Sequence, residues 1–212
     1  MKSALIIGSA RSGNAVAKLL TQHDYQCLII DEKKVINQEE LNHLNIQFQE
    51  GPFDTNLLNN KYDLIVKNPV IPQSHPFVQK WVELGYFMYT EIEVASWFAL
   101  DYHYAAITGT NGKTTTTELL EMILKLENTQ NTAAGNVGIP LSEVVLNDLN
   151  GHKKIALEIA AFQLLGIKEL RPDVSVILNL APDHLDVFDT LQDYYDAKAL
   201  VTHNQNSNDW FL

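Results

Sequence analysis

The sequence predicts an α/β fold made of two consecutive units, each built around a parallel sheet. Short apolar runs that end in glycine or an acid alternate with segments of helical spacing, which is typical of strand–helix–strand units. Glycine-containing turns follow two of these runs, "GSARSG" at residues 8–13 and "TGTNGKT" at residues 108–114. Turns of this kind lead from a strand to a helix N-terminus, where backbone N–H groups bind phosphate. Each of the two turns is therefore a candidate phosphate-binding site, one in each unit.

The first unit is predicted to be Rossmann-like. "SALIIG" (residues 3–8) has the composition of a buried parallel strand, and "NAVAKLLTQH" (14–23) follows with helical spacing. "QCLIID" (26–31) is a second apolar run that ends in an acid. Together the three segments predict a βαβ unit whose helix begins near Ser12.

The first turn matches the dinucleotide-binding fingerprint imperfectly. Gly8 and Gly13 occupy its outer positions, whereas Ala10 replaces the middle glycine. Asp31 ends the second strand, where the fingerprint places the acid that binds a ribose hydroxyl. Two interpretations stay open at this point: a nucleotide site, or an ordinary turn whose glycines only relieve backbone strain.

The remainder of the first unit contains three predicted elements. "YDLIVKNPVIP" (62–72) is a strand followed by turn residues, and "HPFVQKWVELG" (75–85) is a short helix with Gly85 at its C-cap. "YFMYTEIEVASWFAL" (86–100) begins as a strand and ends as an amphipathic helix. We place the boundary inside this last segment, which gives domains of residues 1–95 and 96–212.

The second turn is related to the P-loop, whose general pattern is G-x-x-x-x-G-K-[ST]. Gly112, Lys113 and Thr114 match this pattern, but Ile107 stands where the first glycine belongs, and Gly109 supplies the small residue instead. The lysine supplies a positive charge for terminal phosphates, and the threonine hydroxyl can bind Mg²⁺. An apolar strand precedes the turn and a helix follows it, as a phosphate-binding loop requires.

Composition excludes several classes of partner. The chain has 212 residues and a formal net charge of -11, which argues against nucleic acids and anionic membranes as primary partners. The single cysteine, Cys27, lies in an apolar run and is expected to be a buried thiol. The sequence shows neither a signal peptide nor an apolar run of membrane-spanning length, so we expect a cytoplasmic protein.

The second turn, "TGTNGKTTT", resembles that of the Mur ligase family, which are ATP-dependent amide-forming enzymes. Three further segments match the family in order. "AAGNVGIPL" (133–141) is similar to its glycine-asparagine loop, and "LEIAAFQL" (157–164) is similar to its acidic strand end. "LNLAPDHLDVFDTLQDYYDAKALV" (178–201) resembles its His-Leu-Asp loop and lysine-bearing helix. The resemblance implies that residues 96–212 are an incomplete, ATP-binding Mur ligase central domain, and that the family's C-terminal amino-acid-binding domain is absent.

Within the family, residues 1–95 most resemble the members that join D-glutamate to UDP-N-acetylmuramoyl-L-alanine, because "ARSG", "KNPVIP" and "TEIEVA" match. The resemblance implies that this domain binds a UDP-sugar. It also implies that ATP activates a substrate carboxylate as an acyl phosphate, which the amine of D-glutamate then attacks, in peptidoglycan biosynthesis. We expect these two substrates, ATP and Mg²⁺ to be the ligands, and the protein to be a monomer.

The resemblance also implies roles for individual residues. The ATP-binding residues are Gly109, Thr110, Asn111, Gly112, Lys113, Thr114 and Thr115. The catalytic residues are Lys113, Glu158, His184 and Lys198. The magnesium ligands are Thr114, Glu158, His184 and Lys198, the last after carbamoylation, which turns its ammonium into an anionic oxygen ligand. The substrate-binding residues are Arg11, Ser12, Asp31, Asn68 and Asn136.

The chain departs from the family at several positions. Ala160 and Ala161 stand where relatives usually carry two serines, and Val187 and Phe188 stand where more polar residues are common. These departures, and an end at "NDWFL", lead us to expect UDP-sugar binding without turnover by the 212 residues alone. Two alternatives remain: a Mur-ligase-like binding module that has lost catalysis, and a Rossmann oxidoreductase, which Ala10 disfavours.

Overall fold

The computed structural model describes residues 1–99, 101–148, 151, 153–183 and 187–212. These residues form two parallel sheets, one after the other along the chain, with helices packed against them. The predicted α/β class is therefore confirmed. Over the described residues, we find no helix that combines the length and the apolar character needed to span a bilayer.

The first sheet has four strands in the order β3-β2-β1-β4. Its unit consists of β1 (Lys2–Ile7), α1 (Arg11–Gln22), β2 (Tyr25–Asp31), α2 (Gln38–His43), β3 (Gln47–Glu50), β4 (Leu64–Lys67) and α3 (Pro76–Glu83). The elements predicted from apolar runs lie where they were expected. Helix α2 and strand β3 were not predicted, because their segment is mostly polar and only Leu41 and Ile46 are buried in it.

Both faces of the first sheet are covered, which explains its continuous apolar strands. One face packs against α1 through a buried cluster that includes Ile6, Val16 and Ile29. The opposite face packs against α3 through a cluster that includes Ile7 and Trp81. The expected buried thiol, Cys27, is 5% exposed, and burial raises its pKa to about 11.

The segment after α3 differs from the sequence prediction in detail. Gly85 has a φ of +87° and lies one residue beyond the C-cap, which is Leu84. The strand expected near Met88 is reduced to an isolated bridge between Tyr89 and Val66. Helix α4 (Glu91–Ser96) then follows. The boundary predicted between residues 95 and 96 falls in the last turn of this helix, and it stays a prediction.

Helix α4 packs between the two units. Val94 belongs to the buried cluster of the first sheet, and Ile92 belongs to that of the second. The carboxylate of Glu93, which is fully buried, accepts hydrogen bonds from the backbone N–H groups of Glu169 (2.8 Å) and Leu170 (2.9 Å). The two sheets are therefore joined through a shared, hydrogen-bonded helix.

The second sheet has five strands in the order β6-β7-β5-β8-β9. Its unit consists of β5 (His103–Thr108), α5 (Lys113–Glu127), β6 (Thr132–Gly135), α6 (Leu141–Leu146), β7 (Lys154–Glu158), α7 (Ala161–Leu164), β8 (Val174–Ile177), α8 (Leu191–Ala199) and β9 (Trp210–Phe211). The carboxyl ends of parallel strands meet at one edge, which is where open α/β sheets bind ligands. Three sequence motifs therefore meet at that edge, since Ile107, Gly135 and Glu158 are neighbours in register.

Candidate nucleotide, metal and substrate sites

The turn between β5 and α5 has the backbone that phosphate binding requires. Gly109 has a φ of +144° and Gly112 a φ of +83°, both in the region that favours glycine. A Cβ on Gly109 would lie 3.1 Å from the Cβ of Leu178, so this position also needs a small residue. Gly112 offers α5 no side-chain cap, and the first N–H groups of a helix lack intrahelical partners. Such N–H groups are the kind that bind anions at helix N-termini.

The end of β8 holds this turn in place. The Asn179 side chain accepts a hydrogen bond from the Asn111 N–H (2.9 Å) and donates one to the Asn111 carbonyl (2.9 Å). The Thr110 hydroxyl lies 3.1 Å from the carbonyl oxygen of Ala181 and 3.3 Å from the hydroxyl of Tyr194. No role was predicted for Asn179, although a polar residue two positions beyond the apolar strand β8 was the available sequence signal.

Two lysines from distant helices converge on the turn. Lys113, on α5, and Lys198, on α8, both donate to the carbonyl oxygen of Gly109, at 2.8 Å and 2.9 Å. Lys198 is 1% exposed, and its ammonium lies 4.4 Å from the centroid of the Tyr194 ring. Burial and the charge of Lys113 lower the pKa of Lys198 to about 8, against the opposing effect of Asp183. The fold thus places two buried or half-buried cations where an anion can bind.

Glu158 has a buried carboxylate at the same sheet edge as the turn that the two lysines contact. The residue ends β7 and is 1% exposed. Its Oε1 accepts a hydrogen bond from Nδ2 of Asn136 (2.9 Å), whereas its Oε2 has no hydrogen-bond partner among the described residues. An unpaired buried carboxylate oxygen is costly, and a hard cation such as Mg²⁺ would satisfy it. The residues present therefore fit a magnesium ion.

The other predicted metal ligands are placed less completely. Thr114 is exposed in the first turn of α5. His184 lies outside the described residues, so its predicted role is not addressed by the structure. Within the described ranges there is no group of three or more His, Cys, Asp or Glu side chains that could hold a metal. Any metal bound here therefore needs oxygen ligands beyond Glu158, from Thr114, from a modified Lys198 or from the nucleotide.

Four of the five predicted substrate-binding residues line one cavity between the two sheets. The cavity has a volume of about 260 Å³, and its walls include Arg11, Ser12, Asn68 and Asn136. Asp31 is not among the lining residues. Its carboxylate accepts hydrogen bonds from the backbone N–H groups of Ser9 (2.7 Å) and Lys33 (2.8 Å) and so stabilises the first turn.

Arg11 bridges the two units. Its guanidinium donates to both carboxylate oxygens of Glu143, each at 3.1 Å, and to the carbonyl oxygen of Gly138 at 2.9 Å. Because Glu143 lies on α6 and Arg11 begins α1, this pair connects the cavity wall of one sheet to that of the other. A ligand that binds Arg11 must compete with Glu143.

Two of the four departures from the family pattern lie in the same apolar cluster. Ala161 and Phe188 belong to one buried cluster together with Tyr194 and Ala197. The ring centroids of Phe188 and Tyr194 are 5.3 Å apart. The apolar residues at positions 161 and 188 therefore extend a small core beside α8, the helix that carries Lys198.

Glu91 is a further cavity residue, for which no role was predicted from the sequence. It is 5% exposed, lines the same cavity, and accepts a hydrogen bond from the backbone N–H of Ser142 in the first turn of α6. Burial, reinforced by the charge of Glu143, raises its pKa from 4.5 to about 7. Two acids inside the apolar segment "TEIEVAS" were the sequence signal for such a residue.

The raised pKa of Glu91 predicts a pH-dependent stability. Because the folded chain binds this proton more tightly than the unfolded chain, the contribution is fully present below about pH 4.5 and is lost as the pH rises through about 7. Between about pH 4.5 and about pH 7, the free energy of unfolding of the Glu91→Gln variant should therefore fall less than that of the wild type. Urea unfolding at a series of pH values measures it. Parallel pH profiles for the two proteins would contradict the assignment, and Glu83→Gln, at an exposed acid, is the control.

Comparison with known protein families identifies both units. The Mur ligase MurD-like N-terminal domain matches residues 2–89, and the Mur ligase middle domain matches residues 107–212. Among curated relatives, the UDP-N-acetylmuramoylalanine–D-glutamate ligase of Enterococcus hirae is 38% identical over 218 residues, covering 100% of this chain and 46% of its own length. The ligase of the same name from Leuconostoc mesenteroides is 34% identical over 215 residues, with coverages of 100% and 47%. The chain therefore spans about half the length of these relatives.

Solved structures show the same fold at lower identity. The UDP-N-acetylmuramate:L-alanyl-γ-D-glutamyl-meso-diaminopimelate ligase from Neisseria meningitides aligns with a TM-score of 0.64 at 19% identity, covering 100% of this chain and 70% of that one. The UDP-N-acetylmuramate–alanine ligase MurC from Thermotoga maritima aligns with a TM-score of 0.57 at 20% identity, covering 96% and 47%. At these identities the comparison supports the fold alone.

Proposed function

This chain belongs to the Mur ligase family, and from that premise we propose that it serves the ATP-dependent addition of D-glutamate to UDP-N-acetylmuramoyl-L-alanine in peptidoglycan biosynthesis. The observation that carries the proposal is the buried Oε2 of Glu158, which has no hydrogen-bond partner in the described part of the chain and lies at the same sheet edge as the turn to which Lys113 and Lys198 donate. The relatives that cover the whole chain bear the name of this activity. Because ATP is a substrate of the reaction, the proposal includes a cytoplasmic location.

The first chemical step brings two anions together. The carboxylate of the UDP-sugar substrate attacks the γ-phosphorus of ATP, an acyl phosphate forms, and ADP leaves. Lys113 supplies positive charge at the turn, and the N-terminus of α5 supplies N–H groups. Charge placed in advance at a water-poor site lowers the barrier of such a step more than the same charge in water.

The second step forms the amide. The neutral amine of D-glutamate attacks the acyl carbon, the bond from that carbon to the phosphate oxygen breaks, and phosphate leaves with the electron pair while the amine loses a proton. We place this step beside Asn136, which follows β6, and Glu158, which ends β7; a 2.9 Å hydrogen bond joins their side chains. This bond fixes the Glu158 carboxylate, so that Oε2 stays directed away from Asn136.

Glu158, together with Thr114 and, by family resemblance, His184 and carbamoylated Lys198, would hold Mg²⁺. Bound there, Mg²⁺ would neutralise phosphate charge. Carbamoylation requires the neutral amine, and the burial of Lys198 favours that form.

The UDP-sugar is proposed to bind in the cavity between the sheets, with its diphosphate at the N-terminus of α1. Ser12 lies in the first turn of this helix and lines the cavity, as do Arg11, Asn68 and Asn136. Helix N-termini attract phosphate through their unpaired N–H groups and dipole. Asp31 is proposed to act indirectly, by holding the Ser9 N–H and hence the shape of this turn.

A second candidate is a Mur-ligase-like module that binds nucleotide without catalysis. Ala160 and Ala161 favour it, because they remove two hydroxyl groups close to Glu158, and Ala161 packs with Phe188 instead. Both candidates predict binding of the same ligands. Turnover by a longer version of the protein would favour the ligase, whereas binding without turnover would favour the module.

Isothermal titration calorimetry of the 212-residue chain tests the proposal. The chain should bind UDP-N-acetylmuramoyl-L-alanine and, separately, ATP with Mg²⁺, and it should not bind NADH. Arg11→Ala should weaken the UDP-sugar affinity by about 10-fold, through loss of a charge-assisted contact to the diphosphate. Glu143→Gln should not weaken it, because it frees Arg11 from its ion pair. Unchanged affinity in Arg11→Ala would contradict the role of Arg11, and binding of NADH alone would contradict the proposed function.

A further inference from the structure

Lys67 is a buried cation that the proposed mechanism does not use. It ends β4 and is 6% exposed. Its ammonium donates to the carbonyl oxygens of Ile71 (2.6 Å) and Asn68 (3.3 Å). None of the ion pairs between described residues includes Lys67, and burial alone lowers its pKa to about 8. A buried ammonium without an acid is costly, and an apolar residue would cover the same sheet surface without that cost.

The two carbonyl groups belong to the turn that walls the proposed UDP-sugar site. Asn68 and Val70 line the cavity, and the side-chain oxygen of Asn68 accepts the N–H of Val70 (3.0 Å). The turn closes through the bond from the Ile71 N–H to the Asn68 carbonyl (3.0 Å). On its other side, a Cβ on Gly8 would lie only 2.6 Å from the Cβ of Asn68. The turn therefore rests directly against the first phosphate-binding turn.

We propose that Lys67 is a positioning residue for the UDP-sugar: its ammonium fixes the turn of residues 68–72 against Gly8, and its buried positive charge favours an anionic ligand in the adjoining cavity. Both effects act on the UDP-sugar and not on ATP, since the ATP-binding turn belongs to the second sheet. This inference rests on the proposed function of the cavity.

The surroundings of Lys67 make its contribution separable by pH. A small cavity of about 30 Å³ adjoins it. The other described residues that line this cavity are Pro69, Pro72, Gln73, Met88, Thr90, Phe162, Leu165, Gly166 and Val187, none of which titrates. Glu91, in the larger cavity, has a pKa raised to about 7, so it also ionises in the lower part of this pH range, in the wild type and in variants at Lys67 alike.

Two substitutions at Lys67 separate its charge from its packing. Lys67→Met keeps an unbranched chain and removes the ammonium, and Lys67→Arg keeps a charge that does not titrate below about pH 12. Calorimetry with UDP-N-acetylmuramoyl-L-alanine should show an affinity about 10-fold weaker for Lys67→Met at about pH 7, with the affinity for ATP and Mg²⁺ unchanged. The UDP-sugar affinity of the wild type should weaken several-fold more between about pH 7 and about pH 9.5 than the affinity of either variant.

The outcomes distinguish this inference from the proposed function. A wild type that does not bind the UDP-sugar overturns both. A wild type that binds it, with Lys67→Met equal in affinity and pH profile, overturns the role of Lys67 alone. If Lys67→Met does not fold, which thermal unfolding would show, the pH profiles of the wild type and of Lys67→Arg decide the matter. An equal loss of UDP-sugar affinity with rising pH in these two proteins overturns the inference.

Discussion

Replacing Lys113 by methionine is expected to weaken the affinity of the chain for ATP with Mg²⁺ by about 100-fold, because a phosphate loses a charge-assisted hydrogen bond of about 1.5–3 kcal/mol. The lysine lies in the first turn of α5 and reaches the carbonyl oxygens of Gly109 (2.8 Å) and Thr110 (2.9 Å), so its ammonium is already at the turn. Methionine retains an unbranched side chain and the helix propensity of the position. Calorimetry with a non-hydrolysable ATP analogue gives the dissociation constants.

Lys125 provides a matched control for this substitution. It lies on the same helix, pairs with Glu121 at 2.8 Å and is 47% exposed, far along α5 from the turn. Lys125→Met should therefore leave the nucleotide affinity unchanged, and Lys113→Met should leave the UDP-sugar affinity unchanged. If Lys113→Met retained nucleotide affinity within about 3-fold of the wild type, the turn would not be the phosphate site.

Replacing Gly135 by alanine is expected to destabilise the chain by about 3 kcal/mol or more, because a Cβ cannot be accommodated there. It would lie 2.2 Å from the carbonyl oxygen of Glu158, in a backbone with a φ of +109°. That carbonyl also accepts the N–H of Asn136 (2.9 Å), so relief of the clash must move both site residues. Urea denaturation measures the loss of stability, and nucleotide binding should fall with it.

A substitution at Gly138, three residues later in the same loop, separates the effect of the steric clash at Gly135 from the effect of backbone strain. It also has a positive φ, +77°, but the nearest atom to its Cβ would be the Ala133 carbonyl oxygen at 3.9 Å. Gly138→Ala should therefore cost only about 1–2 kcal/mol, the penalty of a left-handed conformation. Equal destabilisation by the two substitutions would show that close packing at Gly135 does not position Glu158.

Local patterns were sufficient to predict most of the fold. The strands β1, β2, β4 and β5 are continuous apolar runs, because both faces of a parallel sheet are covered, and such runs are visible in one sequence. Helix α2 and strand β3 lie in a polar segment at the edge of the first sheet, where few residues are buried. Their structure depends on tertiary contacts, such as those of Leu41 and Ile46, which periodicity does not reveal.

The candidate site was predictable where one motif carries the chemistry. The glycines and Lys113 of the second turn follow from a single stretch, and the convergence of Glu158 and Lys198 on it was implied by family resemblance. Contacts between distant segments were not predictable. Asn179 pairs with a residue 68 positions away, and Arg11 pairs with one 132 positions away, so neither partner can be inferred from local spacing.

The most direct test of the account is the position of a metal bound with the nucleotide. Crystals of the chain grown with an ATP analogue and Mn²⁺, in place of Mg²⁺, would locate the ion by anomalous diffraction. We expect the phosphates at the turn of residues 109–115 and the ion bonded to Oε2 of Glu158, the buried oxygen that lacks a hydrogen-bond partner among the described residues. Phosphates bound away from this turn, or an ion that leaves Oε2 of Glu158 without a ligand, would contradict the account.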